Sequence, residues 1–297
     1  MTADATPDGR SFEIWEVYGD TPDDLWLLVH SEEDPDDTDT FRASVVRVVG
    51  ERAWVDRQLD TWTTAMWRSP AGTVYVGDMD FKVHINRGDK WITTDLDIPG
   101  PRAIFGLSDT DVYCSGSKGR FFRKAGDRWV LFNDGIPKDA NLYAIDGNEP
   151  TNLFVLGTKG AIFHTDETRW AELDSPTDVT LTSLLCVSHE RVYFSGGNGS
   201  FLRLRNTVWD DLSLPDKEID LRGIANYRDK IYVGSHREIL FVLEEDNLVP
   251  LRPDVPASLR VINDQLFAFG NNVIEQYNGD VWSRREFDFT AIIRRTA

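Results

Sequence analysis

The sequence predicts an all-β fold, a seven-bladed β-propeller with four antiparallel strands per blade. Three observations lead there. Apolar runs are short and end in Gly- and Asp-rich turns, as in Val112-Tyr113, the turn Ser115–Gly119, Phe121-Phe122, the turn Ala125-Gly126-Asp127 and then Trp129. Helical spacing of 3.6 residues is not sustained anywhere. The run-and-turn pattern recurs about every 40 residues along almost the whole 297-residue chain, the period of a propeller blade. One four-stranded sheet cannot bury both its faces, so neighbouring units must stack around an axis. With 41% hydrophobic and 11% aromatic residues the chain can fill such a core.

Taken in order, residues 1–10 carry no apolar pattern and are expected to be a disordered tail ahead of one propeller domain over 11–297. Each unit then shows an apolar pair and, later, an anchor opening its last run. The pairs are Leu25-Trp26, Val74-Tyr75, Val112-Tyr113, Leu153-Phe154, Val192-Tyr193, Ile231-Tyr232 and Leu266-Phe267. The anchors are Trp54, Trp91, Trp129, Trp170, Trp209, Leu248 and Trp282, spaced by 37, 38, 41, 39, 39 and 34 residues. Glycine follows six of the seven pairs, at Gly77, Gly116, Gly157, Gly196, Gly234 and Gly270. A further apolar stretch ahead of each pair, such as Ala103–Leu107, completes four strands, here called a to d. The anchors are expected to fill the space between blades. Ser11–Gly19 reads as the first strand a, but Asp288–Arg295 also reads as one, with Thr-Ala placed as in Thr63–Arg68. That C-terminal strand either clasps the first blade, removing exposed edges, or docks elsewhere.

The segments Val112–Trp129 and Leu153–Trp170 carry the motif V-Y-x-x-G-x-x-G-x-[FI] followed by a tryptophan. On them the chain resembles bacterial seven-bladed propellers of the WD40/YVTN- and BNR-like repeat type, over roughly residues 11–296. The Asp-box of sialidase-like propellers is missing, since Arg87–Trp91 and Ala125–Trp129 put Asp two residues before Trp. The Gly-His and Trp-Asp punctuation of WD40 blades is missing too. The resemblance therefore implies architecture and transfers no functional residues.

Net charge is −18, and residues 1–40 hold thirteen acids against Arg10 alone, −12 of that total. Nucleic acid is bound by basic surfaces, so a direct nucleic-acid partner is not expected; a basic protein is the natural one. Residues 31–40, Ser-Glu-Glu-Asp-Pro-Asp-Asp-Thr-Asp-Thr, replace a short b–c turn with an acidic insertion. In propellers the b–c and d–a loops share one face, customarily the binding face. Candidate partner-binding residues are accordingly Glu32, Glu33, Asp34, Asp36, Asp37 and Asp39 in the insertion, and Asp60, Asp97, Asp134, Asp139 and Asp178 in d–a loops. The insertion reads equally as a solvated loop. A calcium site at Asp34, Asp36 and Asp39 lacks EF-hand spacing. Each d–a aspartate, singly, reads as a turn residue. Trp62, with Trp67, offers an aromatic anchor beside the acids or packs in the core.

Catalytic signals are poor. The five histidines fall in different blades without ligand spacing, so no metal and no cofactor are expected. Ser115–Gly119 and Ser195–Ser200 are turns rather than nucleophile elbows. Arg102, Arg222 and Arg260, at the starts of innermost strands, open a second class: a glycan-binding or glycoside-hydrolysing protein acting at the central channel. No apolar stretch is long enough to span a membrane, and Met1–Arg10 has no signal-peptide pattern. With two unpaired cysteines, Cys114 and Cys186, the expectation is a cytoplasmic bacterial protein, monomeric when free. The function that fits is a non-enzymatic, acidic binder of a basic protein, of the immunity or inhibitor type that neutralises a toxin or effector such as a nuclease. An assembly or scaffold factor fits the same residues.

Overall fold

The computed structural model describes residues 10–33, 40–88, 90–96 and 101–296. Seven sheets of four antiparallel strands follow one another, over residues 11–59, 63–95, 101–131, 142–173, 181–211, 221–253 and 258–286. Within each sheet the strands keep chain order. Innermost strands of successive blades touch all the way round, and the last meets the first, which closes the seven-bladed ring. Seven hydrophobic clusters of buried side chains sit one at each junction between blades.

The burial follows from the stacking. The second strand of a blade is covered on both faces, and in Val74–Asp78 and Val112–Gly116 every residue is buried. The outermost strand meets solvent, so Arg128–Leu131 is largely exposed. The b–c turns of blades 3, 4 and 5 are two-residue turns with both central residues at positive φ: Lys118-Gly119, Lys159-Gly160 and Asn198-Gly199. They close by Arg120 N–H to Ser117 O, Ala161 N–H to Thr158 O and Ser200 N–H to Gly197 O. Such turns match the twist of the flanking strands, which is why Gly recurs there. At Gly160 a second reason applies: a Cβ would lie 1.9 Å from the carbonyl oxygen of Thr177 in the following d–a loop.

The anchor positions lie on the outermost strands, and six of the seven pack towards the preceding blade. Trp170 is fully buried, its ring 4.5 Å from that of Phe121 and its Nε1–H donated to Phe132 O at 2.9 Å. Trp54 is the exception and corrects the expectation. In blades 2, 3 and 5 the tryptophan is the second residue of its strand, whereas in blade 1 that place belongs to Ala53. Alternation then turns Ala53 and Val55 inward and leaves Trp54 39% exposed.

The C-terminal segment is the second correction. Phe289–Thr296 is an α-helix, not a strand. Asp288 caps it through Oδ1, which accepts Ala291 N–H at 2.9 Å. Phe289, Ile292 and Ile293, at i, i+3 and i+4, join the cluster between blades 7 and 1, and Arg294 and Arg295 lie in the last turn, where cations suit the dipole. Each sheet is thus made of consecutive strands, and the junction between blades 7 and 1 is closed by side-chain packing, by Ile14 N–H to Asn271 O at 2.7 Å and by the helix.

Candidate protein-binding face

Antiparallel order puts the b–c and d–a loops on one face. Its built part lies where blade 1 meets blade 2. Trp15 is the residue left over at an irregularity between Ile14 and Glu16 in the innermost strand of blade 1. Bulges of this kind re-aim a side chain. The Trp15 ring stacks on His30, 4.9 Å between centroids, and its Nε1–H donates to Thr64 O at 3.2 Å. Trp62 stacks on Phe41 at 4.0 Å with the planes 6° apart. His30 lies beneath both tryptophans and is held by Thr63 Oγ1 at 2.8 Å. Burial pulls its imidazole down to about 4, against a hydrogen bond to the Thr63 backbone that favours the charged form, so it is neutral at physiological pH.

The patch extends onto the b–c turn of blade 2. Met79 N–H donates to Trp62 O at 2.8 Å, and Met79 and Phe81 stand exposed. Phe81 has φ of 68°, the left-handed region where a bulky side chain is rare. The turn is fixed from below. Buried Asp78 accepts Lys82 N–H at 3.0 Å with one oxygen and meets His84 Nε2 at 2.7 Å with the other; His84 Nδ1 contacts Thr93 Oγ1 at 3.0 Å.

Of the residues expected to bind a partner, Trp62 is 43% exposed and stands in this patch, while Trp67 is buried against Gly106. Glu32 ends the second strand of blade 1, and Glu33 follows it, paired with Arg10. Asp60 pairs with Arg42 at 3.2 Å. Asp134, Asp139 and Asp178 are exposed in the loops leading to blades 4 and 5, spread round the same face. Asp134 lines a shallow hollow of about 430 Å³ with Ile136 and Lys138. Asp34, Asp36, Asp37, Asp39 and Asp97 lie outside the described residues, as does the calcium site considered for the first, second and fourth of these. Trp15, Met79 and Phe81 are what sequence reasoning missed. The available signal was Met79-Asp-Phe81 itself: large apolar residues in a turn where blades 3 to 5 have Ser, Lys, Asn and Gly.

The central channel holds a second polar group. Arg260 donates to Glu16 Oε2 at 2.7 Å and its guanidinium lies 3.8 Å from the centroid of the Tyr18 ring. Burial raises Glu16, Tyr18 and Asp146, the last to about 6. Both oxygens of Asp146 are occupied, accepting Gly147 N–H at 2.9 Å and Cys186 N–H at 2.8 Å. Arg102 donates to Ser117 Oγ at 3.3 Å and faces Tyr143. Burial raises Glu13 at the channel mouth, partly offset by Arg222, with Glu32 pushing the same way as burial. Both cysteines are free, and burial raises both thiols, Cys186 to about 12 with Asp146 adding to it. Among the described residues no group of three His, Cys, Asp or Glu side chains could hold a metal ion, and no helix is long and apolar enough to cross a membrane.

The chain is a seven-bladed β-propeller of WD40-like architecture. It superposes on the WD40 β-propeller domain of Doa1 with a TM-score of 0.70 at 9% identity, covering 93% of this chain and 97% of that one. It superposes on YCF48, solved bound to D1 peptide, with a TM-score of 0.69 at 14% identity and 94% of both chains covered. In sequence it is 25% identical over 187 residues to Immune protein Tsi7 of Pseudomonas aeruginosa strain PAO1. That match spans 59% of this chain and 61% of the relative's length. No protein-family model matches the chain.

Proposed function

We propose that this chain is a non-catalytic protein-binding propeller of the immunity type, a cytoplasmic bacterial protein that captures and neutralises a basic toxin or effector. The observation that carries it is the exposed apolar patch of Trp15, Trp62, Met79 and Phe81 set among carboxylates on the b–c/d–a face. Large apolar side chains left in water beside charge are the mark of a contact surface rather than of a solvated loop. The relative named as an immune protein supports the biological role. An acidic face speeds capture of a basic partner and can cover a surface made for phosphate.

The test is capture from the native host on the immobilised protein at low salt, with elution by a salt gradient and identification by mass spectrometry. The expected result is one basic protein released as salt rises, which arrests growth when expressed in a naive host and is silenced by co-expression of this chain. Capture of a harmless protein overturns the immunity role and leaves the binder. Failure to retain any protein overturns both. The second class rests on the channel carboxylates Glu16 and Asp146, both raised by burial. However, the channel carboxylates are already engaged by Arg260 and by backbone N–H groups. Hydrolysis of a glycan panel that stops in Glu16→Gln would establish it.

A further inference from the structure

The geometry points to the Trp15–Trp62 edge as a socket for a cationic side chain, an arginine presented by the basic partner. The partner's existence rests on the proposed function; the socket's chemistry is argued from the edge itself. Two indoles stand 37% and 43% exposed, and neither is free to swing. Trp15 is pinned by its stack on His30 and its bond to Thr64 O, and Trp62 by its stack on Phe41. Each buries one face and offers the other. An exposed indole face attracts a guanidinium, and a fixed one loses little freedom on binding.

The charges beside the rings fit the same occupant. Glu33 and Asp60 are already paired with Arg10 and Arg42, but Glu32 and Asp80 have no ion-pair partner among the described residues. Burial raises the neighbouring Glu13 carboxyl, Arg222 opposes that rise, and Glu32 adds a smaller push in the same direction as burial, so negative charge gathers at this edge. The imidazole beneath the rings is neutral, so it does not repel that cation. A guanidinium lying on an indole can also donate in a fork to a carboxylate at the rim. Met79 and Phe81 continue the edge and suit the aliphatic stem of the same side chain or its neighbours.

The molecule carries its own control. Trp54 is 39% exposed, almost as much as Trp15, but it sits on an outermost strand directly across from Arg47. Exposure is matched and the setting differs: Arg47 opposite it is already paired with Asp24 and lies over Trp26.

The experiment needs no partner. The protein is labelled with 5-fluorotryptophan, and its ten 19F resonances are assigned by single Trp→Phe variants. It is titrated at low salt with acetyl-Arg-Gly-Arg-Gly-Arg-amide, and separately with the same peptide carrying citrulline in place of arginine. The expected result is saturable shifts at Trp15 and Trp62 with the arginine peptide, at least tenfold weaker in Glu32→Gln and absent with citrulline. Trp54 should not move. Equal shifts at Trp54 and Trp62, or equal effects of the two peptides, overturn the socket, the latter in favour of an apolar occupant. No shift at all overturns it too.

Once a partner is in hand, Trp15→Leu/Trp62→Leu should weaken it more than tenfold, with the melting temperature checked alongside. If that variant binds normally while Asp134→Asn/Asp139→Asn/Asp178→Asn weakens binding, the socket is wrong and the acidic face stands. If no partner is ever captured but the peptide still shifts Trp15 and Trp62, the socket survives the failure of the proposed function.

Discussion

Blades 1 and 4 use the same four-stranded plan and spend their tryptophans differently. In blade 4, Trp170 is wholly inside, the b–c turn is two residues long, and the turn lies hard against the next d–a loop through Gly160. In blade 1 the strands run to 11, 9, 8 and 8 residues, Trp54 faces out, and Trp15 is displaced onto the face of the ring. The regular blade satisfies itself, with Phe154, Phe163 and Trp170 all buried. The irregular blade leaves rings uncovered where its edge meets blade 2. In a ring of repeats, departure from the repeat therefore marks the region available for contact.

The sharpest way to break that comparison is to truncate one tryptophan from each blade. Trp170→Ala removes a buried ring and orphans Phe132 O, and should cost about 3–5 kcal/mol. Trp54→Ala should change stability by less than about 0.5 kcal/mol, since the inward places belong to Ala53 and Val55. Urea denaturation of the two variants measures both. Similar losses would mean that the two blades do not differ as their burial indicates.

The turns differ next. Gly160→Ala puts a Cβ against a backbone oxygen at a φ of +69°, and relief requires the d–a loop to move. A loss of about 2–3 kcal/mol is expected by denaturation. Binding of the arginine peptide at the blade 1–2 edge by the fraction still folded should be unchanged, because that edge lies elsewhere. A variant that kept full stability would show that the turn and loop of blade 4 are not locked.

The pH response separates the regions by sign. His30 takes a proton near pH 6.5 when unfolded but only near 4 when folded. The unfolded chain binds more protons in between, so stability is complete above 6.5 and declines as pH falls through 4. The loss should reach about 2 kcal/mol by pH 5 relative to pH 7. Asp146, facing Arg260 and Cys186 in the channel, works oppositely: its folded carboxyl titrates near 6 against 3.8 unfolded, so stability falls as pH rises through that window. Urea midpoints from pH 4 to 7 for wild type, His30→Gln and Asp146→Asn should give difference curves of opposite slope. Parallel curves would refute one of the two burials.

How much of this was legible in the sequence follows from the same contrast. The ring, its seven blades and the tight turns were readable because stacking forces a repeat of apolar pairs, glycines and tryptophans. Trp62 was legible as a candidate because it falls near the start of an innermost strand, beside the acidic loops. Trp15 was not, since a strand irregularity breaks the alternation from which its direction would be read. The C-terminal helix was not, since Thr290, Ile292 and Ile293 look like a strand over so few residues; the cap from Asp288 and the groove between blades 7 and 1 decide the matter. Local signals specify what repeats, and tertiary contacts decide what does not.

Phe81 gives a small effect on stability and the most telling one. It holds a left-handed backbone that glycine adopts without strain, and its ring is 45% exposed. If the ring is kept for a partner, Phe81→Gly should leave the fold unharmed or stabilise it by about 0.5–1 kcal/mol, as strain relief outweighs the added chain entropy. The same change should weaken partner binding several-fold by removing an apolar contact next to Trp62. Calorimetric melting and a binding titration on one preparation measure both. A destabilised Phe81→Gly would mean that the ring serves the blade rather than a partner, and the difference between blades 1–2 and blades 3–5 would then be one of packing alone.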